Sequence, residues 1–128
     1  MGNTFHRKRE YEDAKRWYEK AISLNSKQAK YYNELGHVLY QLNQDALAVK
    51  QYRIAIRLES DDSKKAEYYD NLGKALYYLS RQEVNSRLAE RYYTQAIEAL
   101  TTATQLNPVK PEYQQHLKVA RERLAEVL

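Results

Sequence analysis

Apolar positions recur every three to four residues along almost the whole chain, with polar residues between them. Tyr32, Leu35, Gly36 and Leu39 stand at i, i+3, i+4 and i+7, and Tyr69, Leu72, Gly73 and Leu76 repeat that set. Such spacing places all four residues on one helix face. The phrases "LGHVLYQL" at 35–42 and "LGKALYYL" at 72–79 are therefore two copies of one part, 37 residues apart. A second pattern uses small residues. Ala14 and Ala21, Ala48 and Ala55, and Ala96 and Ala103 are each seven apart, two helical turns on one face. Tyr18, Tyr52 and Leu100 fall between the alanines, and Leu24, Leu58 and Leu106 follow them. The pattern predicts helices over 3–8 (a stub), 10–25, 27–42, 45–59, 62–81, 85–106 and 110–127.

The two kinds of helix alternate, so the expected unit is a hairpin: one helix with Leu-Gly, a short turn, then one helix with paired alanines. Glycine inside a helix costs about 1 kcal/mol relative to alanine. Its use twice in register implies that a neighbouring helix passes too close for a side chain, with the alanines as the expected contact. Asp61, Asp62 and Ser63 are candidate N-caps. The segment "RQEVNSRLAER" at 81–91 has no counterpart in the preceding unit. It is helix-forming except at Asn85 and Ser86, so it should lengthen both flanking helices and move their turn outward.

These residues resemble the tetratricopeptide repeat family, whose 34-residue helix–turn–helix carries this Leu-Gly and Ala…Ala pattern. The resemblance divides the chain into a partial repeat (1–28), a full repeat (29–62), an extended repeat (63–108, with the insertion 81–91) and a capping helix (109–128). Three extra residues near Ser63 to Lys65 account for the 37-residue spacing, and "LNP" at 106–108 stands where the family has its terminal proline. Ser26 and Ser60 replace that proline earlier, and Asp45 replaces the aromatic kept as Tyr11 and Tyr93. Gly2 and Phe5 match, in register, a first helix that is cut short. The implied fold is all-α: a right-handed superhelical array of antiparallel helix hairpins, an α-solenoid, closed by a capping helix with one polar face.

Composition narrows the function. A 43% hydrophobic fraction with 13 tyrosines is too rich for a disordered chain. The absence of cysteine removes disulfides and thiolate metal sites and suits a cytoplasmic location. No apolar run is long enough to span a membrane. A net charge of +4 is too small to indicate nucleic acid, and the basic side chains Lys15, Arg16, Lys20, Lys50, Arg53 and Arg57 are read as a solvated face. His6, His37 and His116 are scattered, no glycine-rich phosphate loop or nucleophile motif occurs, and neither catalysis, cofactor nor metal is expected.

What remains is binding. The resemblance implies a concave surface lined by the first helix of each hairpin. Helix register then gives Lys30, Asn33, Glu34, His37, Tyr40 and Gln41 from one repeat, and Glu67, Asp70, Asn71, Lys74, Tyr77 and Tyr78 from the next. Most other tyrosines (Tyr18, Tyr32, Tyr52, Tyr69) are expected in packing. The amides of Asn33, Asn71 and Gln41 can bond a peptide backbone. One branch of the family grips acidic C-terminal tails of Hsp70 and Hsp90 with a clamp of Lys, Asn and Arg. Here only Asn3 fits that clamp, while Glu34, Glu67 and Asn71 occupy its other positions, so such tails should be repelled. The expected function is a non-enzymatic scaffold or adaptor that binds a polypeptide segment in the groove. The alternatives are homodimerisation near Phe5 and Trp17, or membership of a longer array, and, behind these, binding of RNA or a membrane surface through Arg7, Lys8, Arg9 and the second-helix cations.

Overall fold

A computed structural model describes the backbone of residues 3–127 and the side chains of 7–126. Among them are six helices: α1 (Asn3–Leu24), α2 (Ala29–Gln41), α3 (Asp45–Leu58), α4 (Asp62–Gln82), α5 (Ser86–Leu106) and α6 (Pro111–Val127). The chain forms two compact units, Met1–Leu58 and Glu59–Leu128. In the first, α2 packs against both α1 and α3; in the second, α4 packs on α5, and α6 packs on both.

The first unit corrects one expectation. The stub at 3–8 and the helix at 10–25 are a single helix, α1. Nothing in "NTFHRKREYEDAKRWYEKAISL" breaks a helix: it contains neither glycine nor proline. Gly2, and the side chains of Asn3, Phe5 and His6, lie outside the described residues. The α2–α3 turn is sharp because Asn43 adopts φ 62°, the left-handed conformation that asparagine tolerates better than most residues.

Gly36 and Gly73 sit where helices of one hairpin meet, but the alanines are not their nearest neighbours. A Cβ on Gly36 would lie 2.7 Å from Cε1 of Tyr52, and one on Gly73 would lie 2.5 Å from Cγ of Leu100. The large residue between each alanine pair therefore rests on the glycine. The alanines flank it: Ala48, Ala55, Ala96 and Ala103 are fully buried. Small–large–small on one helix meets Leu-Gly-x-x-Leu on the other, which is why both motifs recur together.

The 81–91 segment lengthens its hairpin as expected. Both α4 and α5 run for 21 residues, against 13 and 14 in α2 and α3. Their ends are capped by side chains: Asp61 accepts from the Lys64 amide at 3.0 Å and Asn85 from the Leu88 amide at 3.0 Å. Each such cap contributes about 1 kcal/mol. The residue before α2 is Gln28, without a side-chain cap, and the Ser26 carbonyl accepts from the Tyr32 hydroxyl. Pro111 opens α6, where a missing amide hydrogen costs no helical bond. Tyr113, Leu117 and Ala120 of α6 are buried, against Ala66 and Ala103 or against Leu100.

Candidate functional site

The twelve residues expected to line the groove separate into two rows on each first helix. Lys30, Glu34, His37 and Gln41 of α2 stand at i, i+4, i+7 and i+11, and Glu67, Asn71, Lys74 and Tyr78 of α4 stand at the same spacing. Lys30, His37, Gln41, Glu67 and Tyr78 are exposed; Glu34, Asn71 and Lys74 are half-buried. The second row turns inward. Asn33 is 6% and Asp70 is 4% exposed, and Tyr40 and Tyr77 are half-buried. The first row is therefore the more exposed of the two on each helix.

On α2 the row is anchored to its own unit at Glu34. Burial raises the Tyr18 pKa, and the neighbouring Glu34 carboxylate raises it further by charge and hydrogen bonding. Tyr52 is raised in the same way, by burial first and then by Glu34 and Asp45. Lys30, His37 and Gln41 remain as the side chains turned to solvent.

On α4 the aromatic pair divides its work. Tyr77 packs against Leu100, Leu117 and Ala120, meets Tyr93 edge-on at 5.9 Å, and carries the Arg81 guanidinium 5.8 Å above its ring. It belongs to the scaffold. Tyr78, edge-on to Tyr77 at 5.7 Å, is 41% exposed.

Asp70 is occupied from within the unit. Nδ1 of His116, on α6, lies 2.8 Å from its Oδ1. Despite this contact the Asp70 pKa is raised, because burial outweighs the lowering by His116 and Lys74, and Glu112 adds repulsion. The pair therefore fixes α6 on α4 rather than offering a charge to a ligand. Sequence reasoning missed His116 because its partner is 46 residues away. The available signal was its place beside the buried stripe of Tyr113, Leu117 and Ala120. Tyr68, also missed, is buried and donates its hydroxyl to Glu59 at 3.2 Å.

The longer hairpin adds a cleft of about 610 Å³ between the end of α4 and the start of α5, lined by Arg81, Glu83, Val84, Arg87, Glu90 and Tyr93 among others. Two arginines and two glutamates there balance one another. Among the described residues, no group of three His, Cys, Asp or Glu side chains is placed to hold a metal ion. No described helix is long and apolar enough to cross a membrane. The rows on α2 and α4 hold amides, single charges and one exposed ring, a set suited to contacting a polypeptide.

Comparison with known proteins agrees with the repeat geometry. Residues 2–43 match a family model described as TPR repeat, and residues 29–62 match one described as tetratricopeptide repeat. No curated protein matches the sequence. Among solved structures, the first TPR of Spaghetti (RPAP3) bound to the HSP90 peptide SRMEEVD is similar at TM-score 0.73 and 18% identity, over 97% of this chain and 87% of that one. The Yersinia enterocolitica type III secretion translocator chaperone SycD is similar at TM-score 0.66 and 17% identity, over 98% and 77%. SycD in complex with a peptide of the translocator YopD gives the same TM-score and identity, over 98% and 86%. At these identities the likeness speaks for the fold. Residues 2–62 thus carry tetratricopeptide repeat matches, the same glycine-on-large-residue packing recurs in the second unit, and the fold is that of a tetratricopeptide repeat α-solenoid.

Proposed function

We propose that this protein–protein interaction module binds a polypeptide segment along the exposed rows of α2 and α4. It acts in the cytoplasm as a non-enzymatic adaptor. The observation that carries this reading is the repetition of the row. The scaffold letters of the two copies are the same, Leu-Gly-x-x-Leu, while the letters of the outer row differ: Lys30, Glu34, His37 and Gln41 against Glu67, Asn71, Lys74 and Tyr78. The exposed members of the row, Lys30, His37, Gln41, Glu67 and Tyr78, are those able to specify a partner. The solved relatives bound to SRMEEVD and to a YopD peptide support polypeptide as the ligand class.

The chemistry argues against an acidic C-terminal tail. Glu67 is exposed on α4 and Glu34 stands on α2, and a carboxylate facing a carboxylate ligand repels it. The test selects peptides from a random display library and titrates the tightest one by calorimetry, with SRMEEVD run beside it. Combined replacement of Lys30, His37, Gln41, Lys74 and Tyr78 by alanine should weaken the selected peptide at least about tenfold. SRMEEVD should not bind the unaltered protein. Unchanged affinity in the variant contradicts the assignment of the rows, and micromolar binding of SRMEEVD contradicts the assignment of ligand charge.

A second reading has its own observation. Trp17 is 59% exposed on α1, and Leu24, seven residues on and on the same face, is 80% exposed. Self-association through this face predicts a light-scattering mass that rises with concentration and is lost in Trp17→Ser; a concentration-independent monomer ends it.

A further inference from the structure

The outward face of α3 differs in charge from the equivalent faces of the other second helices. Lys50, Arg53 and Arg57 stand at i, i+3 and i+7, all exposed, with exposed Leu47 and Leu58 at either end. The only acidic residue of α3 is Asp45, which is buried. Among the described residues no ion pair involves any of the three cations. The repeat register supplies an internal control. The positions matching Lys50, Arg53 and Arg57 are Arg16, Glu19 and Ser23 on α1, and Glu98, Thr101 and Gln105 on α5. On α1, moreover, Arg16 pairs with Asp13 at 3.6 Å. The scaffold therefore does not require cations at these places, and where it carries one elsewhere it is offset by an acid.

We infer that this face of α3 docks an acidic, amphipathic helical segment of a partner protein, independently of the rows on α2 and α4. Three cations spanning two turns cover roughly 10 Å of helix length. That matches carboxylates at i, i+3 or i+4, and i+7 on a partner helix, with apolar residues of the partner meeting Leu47 and Leu58. A nucleic-acid strand fits less well, because the aromatic residue among the cations, Tyr52, is buried and cannot stack a base. An anionic membrane draws on larger clusters of basic residues than three.

The probe is a fluorescein-labelled helical peptide with Glu at those spacings and Leu on the adjoining stripe, followed by anisotropy. Binding is expected to the unaltered protein and to weaken at least about tenfold in K50Q/R53Q/R57Q, with R16Q unchanged. It should also weaken as salt is raised. All substituted side chains are exposed, and circular dichroism with a melting curve checks that the fold is retained. No loss in the triple variant overturns the proposal. So does a loss in R16Q equal to that in the triple variant, or tighter binding of single-stranded RNA or of phosphatidylserine vesicles than of the peptide.

Discussion

Gly73→Ala should destabilise the second unit by about 2 kcal/mol, although alanine is the better helix former by about 1 kcal/mol. The added methyl would lie 2.5 Å from Cγ and 2.7 Å from Cδ2 of Leu100, and 3.3 Å from the Ala96 carbonyl oxygen. Leu100 is 1% exposed, so its branch point has nowhere to retreat, and the overpacking cost, at the upper end of about 1–3 kcal/mol, exceeds the propensity gain. Leu100→Ala alone should cost about 3 kcal/mol through lost burial and the cavity left behind. In the double variant the new methyl occupies part of that cavity. The pair should therefore cost less than the sum of the two by at least about 1 kcal/mol. Urea denaturation of the four proteins measures the cycle. A stabilised Gly73→Ala, or strict additivity, would show that glycine is not there for the sake of the facing leucine. Gly36 and the ring of Tyr52 form the matching test in the first unit.

The second large effect concerns Asp70 and His116, and its sign runs against the usual expectation for a charged pair. The carboxyl pKa of Asp70 in the fold lies above its unfolded value of 3.8. The folded state then holds the proton more tightly than the unfolded state. Stability from this group is present below pH 3.8 and is lost as pH rises through the raised value in the fold. Asp70→Asn keeps a hydrogen-bonding partner for His116 and removes the buried charge. It should raise stability near neutral pH by about 1 kcal/mol, with the gain vanishing toward about pH 4. His116→Ala should do the reverse. It leaves the buried carboxylate with only Lys74 to oppose Glu112, and should cost about 2 kcal/mol near neutral pH, less than a fully buried pair because His116 is a third exposed. Denaturation curves from acid to neutral pH decide it. A clear loss of stability in Asp70→Asn near neutral pH would make the pair a net stabilising one.

The fold was legible in the sequence where a residue's neighbours sit within one hairpin. Leu-Gly and the paired alanines announce the hairpin, Asn85 and Asp61 mark helix starts, and the insertion declares itself by having no counterpart. The continuity of α1 was hidden because family register suggested a turn where the residues themselves contain no breaker. The candidate rows were legible only to the level of a helix face. Asn33 and Asp70 are polar and adjacent to exposed positions, so nothing local distinguishes them from solvent-facing residues. Asp70 is buried by α6, which joins its face across 46 residues through His116. A row's outer edge follows from helix geometry; its inner edge depends on what packs beside it.

The most direct measurement is a nitrogen–proton NMR titration with the library-selected peptide, using the 15.2 kDa chain. The largest shift changes should gather along Lys30, His37 and Gln41 of α2 and Lys74 and Tyr78 of α4, with Lys50, Arg53 and Arg57 of α3 unmoved. Changes concentrated on the outward faces of α1, α3 or α5, with those two rows unperturbed, would contradict binding along the rows.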